Sequence, residues 1–252
     1  ASVLDPVALR RSEDSYVDEL FAAAPRLGAP LLKALFPRAF IDPNREPFEL
    51  DPAMFSDDLP SYADTQSSRV AAGLGTIPRV ISIGQEIYRG KLTFAEAAER
   101  INHYYRPYHK ALAALVDDTV ERFGCCVLID CHSMPSVGGP LAPDAGRGRA
   151  DFVIGDCFGN ACEESISATV GRGLRARGHS VVRNKPFAGG FTTRHYGKPS
   201  IGVHALQIEI NRALYMDEVK IERREGMDRL TGHMTDVMVA LTGLAALDLA
   251  AE

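Results

Sequence analysis

Residues 125–129, Cys-Cys-Val-Leu-Ile, form a short unbroken apolar run, introduced by Gly124 and closed by Asp130-Cys131-His132-Ser133. A run of this length between such residues predicts a buried strand. In open α/β sheets ligands sit just beyond the carboxyl ends of strands. A carboxylate, an imidazole and a hydroxyl delivered together at such an edge are therefore candidate site groups. Asp130 and His132 are two apart, so on an extended chain they point the same way. Asp130 as a turn cap and His132 as an ordinary loop residue explain the motif equally well.

The remaining segments alternate in a way that sets the fold class. Asp5-Pro6 predicts a helix start, and Leu9, Tyr16, Val17, Leu20 and Phe21 follow at roughly helical spacing. Asp14 and Asp18, four apart, then share a face, for which a solvated acidic face is the simplest account. Residues 38–45 read as a short strand running into a turn, and residues 46–76 as a long polar excursion. A strand is expected over 79–83. Thr93-Phe-Ala-Glu96 is a capping box; it opens a helical stretch in which Pro107 predicts a kink or two helices, about 93–106 and 107–122. Strands are expected over 151–154, 180–183 and 202–210, and helices over 161–177 and 217–249. The pattern predicts one α/β domain over residues 1–252, a three-layer sandwich in which a mostly parallel, mixed sheet is flanked by helices.

Composition narrows the function classes. The 252 residues are 46% hydrophobic and 24% charged, with a net charge of -5 and no basic tract, so nucleic acid is not an expected partner. No stretch is long and apolar enough for a membrane helix or a signal peptide. Five cysteines without a CxxC pair suit reduced thiols and a cytoplasmic location. Oligomeric state is not readable.

In 202–210, Gly-Val-His-Ala-Leu-Gln-Ile-Glu-Ile, one face carries His204, Leu206, Ile208 and Ile210 and the other Gln207 and Glu209. A carboxylate inside an apolar strand needs a partner or a function. An ion pair with Arg212 is one reading, and a general base tuned by burial the other. His132 is a candidate metal ligand with Asp130 orienting it. A catalytic zinc takes three protein ligands, and neither HxxE nor HExxH occurs.

Taken together, Arg38…Asp-Pro-Asn44-Arg45, Ile129-Asp130-Cys-His132-Ser-Met-Pro, Asn184-Lys-Pro-Phe-Ala-Gly-Gly190, Tyr196-Gly197 and Gln207-Ile-Glu209-Ile-Asn-Arg212 resemble the N-formylglutamate amidohydrolase family. That family is distantly similar to the aspartoacylase and carboxypeptidase A group of zinc hydrolases. The resemblance implies hydrolysis of N-formyl-L-glutamate, an intermediate of histidine catabolism, to formate and glutamate, with one Zn2+ per chain. By motif, His132 resembles a zinc histidine and Glu209 the glutamate that takes a proton from water. Asn44-Arg45 resembles the pair gripping a substrate carboxylate, and Arg38 the arginine polarising the scissile carbonyl. Arg194 is the candidate for a second substrate carboxylate, on charge and position. Asp14 best matches the acidic ligand position, with Asp18 second. The family's Pro-His-Ser-Gly segment, which carries the first zinc histidine, has no counterpart here and is expected upstream of residue 1.

Two other readings stand beside this one. A metal-free relative would bind a dicarboxylate without catalysis. A cysteine hydrolase would use Cys131 beside His132, although adjacent residues on an extended segment point apart.

Overall fold

The computed structural model describes residues 2–81, 84–140 and 142–248. The chain divides into two compact units. One is built from Ala1–Glu13, Ala34–Ala113 and Gly139–Gly146, the other from Asp14–Lys33, Ala114–Gly138 and Arg147–Glu252.

The second unit holds the sheet. Its strands are β1 (Cys126–Met134), β2 (Phe152–Gly155), β3 (Val181–Arg183) and β4 (Val203–Asn211), in the order β1-β4-β2-β3. β1 with β4 and β2 with β3 are parallel, and β2 with β4 is antiparallel, so the sheet is mixed. All nine residues of β4 are buried. Its even-numbered residues Leu206, Ile208 and Ile210 join Phe152 and Ile154 in the main core. That core also takes side chains from the helices Val17–Leu20, Glu164–Arg175 and Gly226–Asp248. The opposite face carries Asp130, His132, Gln207 and Glu209, with the helix Phe191–Tyr196 bonded to it. Helices therefore flank the sheet on both faces, as the α/β reading expects.

Several boundaries differ from expectation. β1 does not end at Asp130; it runs on to Met134, paired with β4 throughout. Asp130 and His132 therefore sit inside a strand, and the alternation that aligns them holds. The expected helix from residue 217 begins only at Gly226, because a small hairpin, Met216–Asp217 with Glu222–Arg223, comes first. Position 249 lies outside the described residues. Helical spacing across Asp14 and Asp18 is broken by Tyr16, whose φ of 66° is left-handed, so the two carboxylates do not share a helix face. Asp18 pairs with Lys33 at 2.9 Å.

The described residues of the first unit include two small cores. One gathers Leu50, Met54, Phe55, Ile77, Leu92 and Ala97, the other Ala39, Ile81 and Ile87. Residues 38–45 are turns, not a strand. The stretch 46–76 is mostly irregular, with only a 3-10 turn, Pro52–Met54, and one short helix, Ser68–Ala71. Of the strand expected over 79–83, Val80 forms an isolated bridge with Glu86, and 82–83 lie outside the described residues. The capping box forms as read, Thr93 with Glu96. At Pro107 the helix does not break. It passes through a π turn over Ile101–Tyr105 and continues as Arg106–Phe123; such a wide turn absorbs a missing backbone donor.

Candidate active site

The polar face of the sheet in the second unit is built around His132. Its Nε2 lies 2.9 Å from Asp130 Oδ1 and its Nδ1 2.9 Å from Asp14 Oδ2. Burial alone would depress the imidazole pKa, but the charges of Asp130 and Asp14 outweigh it and push the value well above that of an ordinary histidine. Asp14 is itself fixed. Its Oδ1 accepts from Ser133 N at 2.7 Å and Ser133 Oγ at 3.0 Å, and Arg212 NH2 stands 4.0 Å away. The left-handed Tyr16 just beyond it turns the chain into the helix Val17–Leu20, and Tyr215 holds the segment by donating its hydroxyl to Ser15 O.

Glu209 is the register partner of His132 across β1 and β4. Gln207 Nε2 donates to its Oε1 at 2.9 Å. Arg212, weighed as its ion-pair partner, donates its Nε to Ser133 Oγ and leans toward Asp14. Thr193 Oγ1 donates to Asp130 Oδ2 at 3.3 Å. Arg194 lies on the same short helix and donates to Gly189 O at 3.1 Å.

Cys131 falls on the other face of β1, packed against the main core. Burial, with Asp130 and Asp14 nearby, pushes its thiol pKa far up. The strand therefore points Cys131 away from the face that holds His132. All five cysteines are free thiols.

Arg38, Asn44 and Arg45 belong to the first unit and cluster there around Asp42, a buried residue to which sequence reasoning gave no role. Arg38 Nε is 3.0 Å and Arg45 NH2 3.5 Å from Asp42 Oδ2, while Asn44 N donates to Oδ1 at 2.9 Å. Burial works to raise the Asp42 pKa; the two guanidinium charges and the Asn44 N–H outweigh it and hold the carboxyl below its usual value. Arg45 also donates its Nε to Leu74 O and NH1 to Asn44 O. Among the described residues no group of three or more His, Cys, Asp or Glu is arranged to hold a metal.

Asn184 has a role that sequence did not separate from the site. In a left-handed conformation, φ 59°, its side chain donates to buried Asp156 Oδ1 and accepts from Asp156 N, and Arg183 pairs with the same carboxylate. This cluster braces the 184–190 loop. Gly155 and Gln207 were also missed. A glycine ending an apolar strand and a polar residue two before Glu209 were the available signals.

The family model for N-formylglutamate amidohydrolase matches residues 1–216. The N-formylglutamate deformylase of Pseudomonas aeruginosa is 31% identical over 223 residues, covering 86% of this chain and 76% of that protein. That of Pseudomonas putida is 32% identical over 211 residues, covering 82% and 72%. The crystal structure of N-formylglutamate amidohydrolase from Ralstonia eutropha JMP134 superposes with a TM-score of 0.89 at 37% identity, covering 98% of this chain and 89% of that one. An Agrobacterium tumefaciens structure, 20% identical with a TM-score of 0.67, shares the fold. The α/β sheet with its buried carboxylate–imidazole face is that of an amidohydrolase class. The chain belongs to the N-formylglutamate amidohydrolase family.

Proposed function

We propose that this protein is a zinc-dependent deformylase that hydrolyses N-formyl-L-glutamate to formate and L-glutamate. The observation that carries the reading is the Asp14–His132–Asp130 array, half-buried beside Glu209 at one face of the sheet. The curated relatives named for this reaction support it.

The residues present fit a zinc ion in donor type. Asp14 Oδ2 and His132 Nδ1 face each other at 2.9 Å, a carboxylate oxygen and an imidazole nitrogen of the types that zinc takes. The other imidazole nitrogen is held by Asp130, the carboxylate support that orients ligating histidines and raises their basicity. Asp14 and His132 would hold the ion, two of the three protein ligands a catalytic zinc takes. Bound there, zinc would supply Lewis acidity toward the amide carbonyl and lower the pKa of water.

The chain's own groups supply the rest. Glu209 takes the proton of the attacking water and returns it to the leaving amine nitrogen, a general base then acid. Asn44 and Arg45 are assigned to a substrate carboxylate, Arg38 to the carbonyl oxygen and Arg194 to the second carboxylate, each on the family resemblance or on charge.

The test is formate release by the full-length protein from a panel of N-acyl amino acids, with added zinc and with a chelator. Turnover of N-formyl-L-glutamate that the chelator abolishes and zinc restores is the expected result. Turnover indifferent to both removes the zinc assignment. Binding of glutamate without formate release would put a non-catalytic dicarboxylate-binding protein in place of the enzyme.

A further inference from the structure

We infer that Gln207 is a positioning residue for Glu209, holding its carboxylate in the orientation needed for proton transfer through a single donated hydrogen bond. The inference rests on the assignment of Glu209 as the general base.

Gln207 lies two residues before Glu209 on β4, on the same face, and both are buried. Its amide is engaged at both ends. Gly190 N donates to its Oε1 at 2.7 Å, and its Nε2 donates to Glu209 Oε1 at 2.9 Å. A side-chain amide often has two plausible orientations. Here the backbone N–H of Gly190 offers only a donor, so it must meet the oxygen. The NH2 group is then turned toward Glu209, whose oxygen must accept. In a buried setting such a bond is stronger than in water.

The other end of this relay is fixed by backbone packing. Gly155 is the register partner of Gln207 on β2. A Cβ on Gly155 would stand 2.7 Å from Ala188 C and 2.9 Å from both Ala188 O and Gly189 N. Only a residue without Cβ lets the 184–190 loop lie directly on the sheet at this point. Cys157 N pins the loop again by donating to Ala188 O at 2.7 Å. Gly190 caps the helix Phe191–Tyr196, whose Thr193 bonds Asp130. One loop and one short helix thus reach two carboxylates of the site, and Gln207 is the contact to Glu209.

A purely structural Gln207 would serve only to satisfy Gly190 N–H, and two variants separate the roles. Gln207→Glu keeps the acceptor for Gly190 and replaces the neutral donor to Glu209 by a second carboxyl, so the two share a proton and the pH profile of kcat should move. Gln207→Leu removes both. Steady-state kinetics on N-formyl-L-glutamate are measured for both, with zinc content and thermal melting. The expected result is a fall in kcat of about 10²-fold in both, the loss typical of a misplaced catalytic group. KM should stay within about twofold, as for an interaction used only in the transition state. Wild-type kcat with an unchanged pH profile in Gln207→Glu overturns the inference, because the loop anchor alone then suffices. A loss confined to KM overturns it too, by moving the role to substrate binding. If Gln207→Leu fails to fold, Gln207→Glu decides. A wild-type enzyme that releases no formate overturns the function reading and this inference with it, before any variant is read.

Discussion

Asp14 Oδ2 lies 2.9 Å from His132 Nδ1, although 118 residues separate them in sequence. The contact joins a segment with no regular structure of its own to the end of a buried strand. Ser133, the next residue of that strand, binds the other oxygen of Asp14 with both its N–H and its hydroxyl. Asp14→Ala is expected to leave these donors without an acceptor, costing about 1–3 kcal/mol of stability. It should also remove zinc from the dialysed full-length protein. Metal analysis with a urea melt checks both; unchanged zinc content would remove Asp14 from the ligand set.

Glu209→Gln keeps the shape of the side chain and still offers an oxygen to Gln207 Nε2. Removing the base should lower kcat by about 10²-fold or more. Zinc content and melting temperature should stay close to wild type. Near-normal turnover of N-formyl-L-glutamate by this variant would leave Glu209 a structural role only.

Arg45→Lys keeps a charge but not the planar guanidinium. In the wild type that group holds Leu74 O, Asn44 O and the Asp42 carboxylate. The variant is expected to melt lower and to lose kcat/KM on acyl-glutamate. The loss should be smaller on a substrate lacking the α-carboxylate. An equal loss on both would mean that Arg45 acts by holding the 42–45 turn.

How much of this was legible in the sequence follows the range of the interactions concerned. β1 and β4 could be read because each is an apolar run, and alternation alone put Asp130 with His132 and Gln207 with Glu209. The capping box at Thr93 was equally local. Tyr16 was not legible, since its left-handed turn is set by its surroundings: its hydroxyl donates to Ile221 O, 205 residues away. The hairpin before Gly226 follows tertiary context too; a Cβ on Gly226 would stand 2.0 Å from Leu214 O. Arg38 and Asn44-Arg45 were read together in one short motif, but Asp42 at their centre was not, because it is a turn that brings both guanidinium groups to its carboxylate.

Gly155→Ala tests the close approach of loop and sheet. The added Cβ meets backbone rather than a flexible side chain, so the loop must move. Overpacking of this kind costs about 1–3 kcal/mol. The displaced Gly190 should also release Gln207, so kcat should fall further than the melting temperature alone explains. A stable variant with wild-type kcat would show that the loop shifts without consequence for Glu209.

The last prediction concerns acid stability and lies away from the site. His179 Nε2 and His233 Nδ1 are 2.8 Å apart, with His179 packed edge-on to Phe152 and its Nδ1 3.7 Å from Asp151. Two imidazoles at this distance share one hydrogen, so at least one nitrogen of the contact must be unprotonated. Burial lowers both pKa values. His179 is lowered further by His233 and Arg229, with Asp151 acting the other way. His233 is lowered further by Arg177 and Arg229, with Asp236 opposing. A histidine in the unfolded chain titrates near its ordinary value of about 6.5. Below that pH the unfolded chain binds protons that the folded pair refuses, so folding stability falls as pH drops through about 6.5 toward the lower folded values. Above it the contribution is fully present. The pair should therefore lower urea midpoints between pH 7.5 and 5.5, against the opposite contribution of His132, whose pKa is raised. His233→Gln removes one titrating group and keeps an acceptor for His179, so its drop over the same interval should be smaller. An equal drop in the variant would assign the acid sensitivity to carboxylates elsewhere.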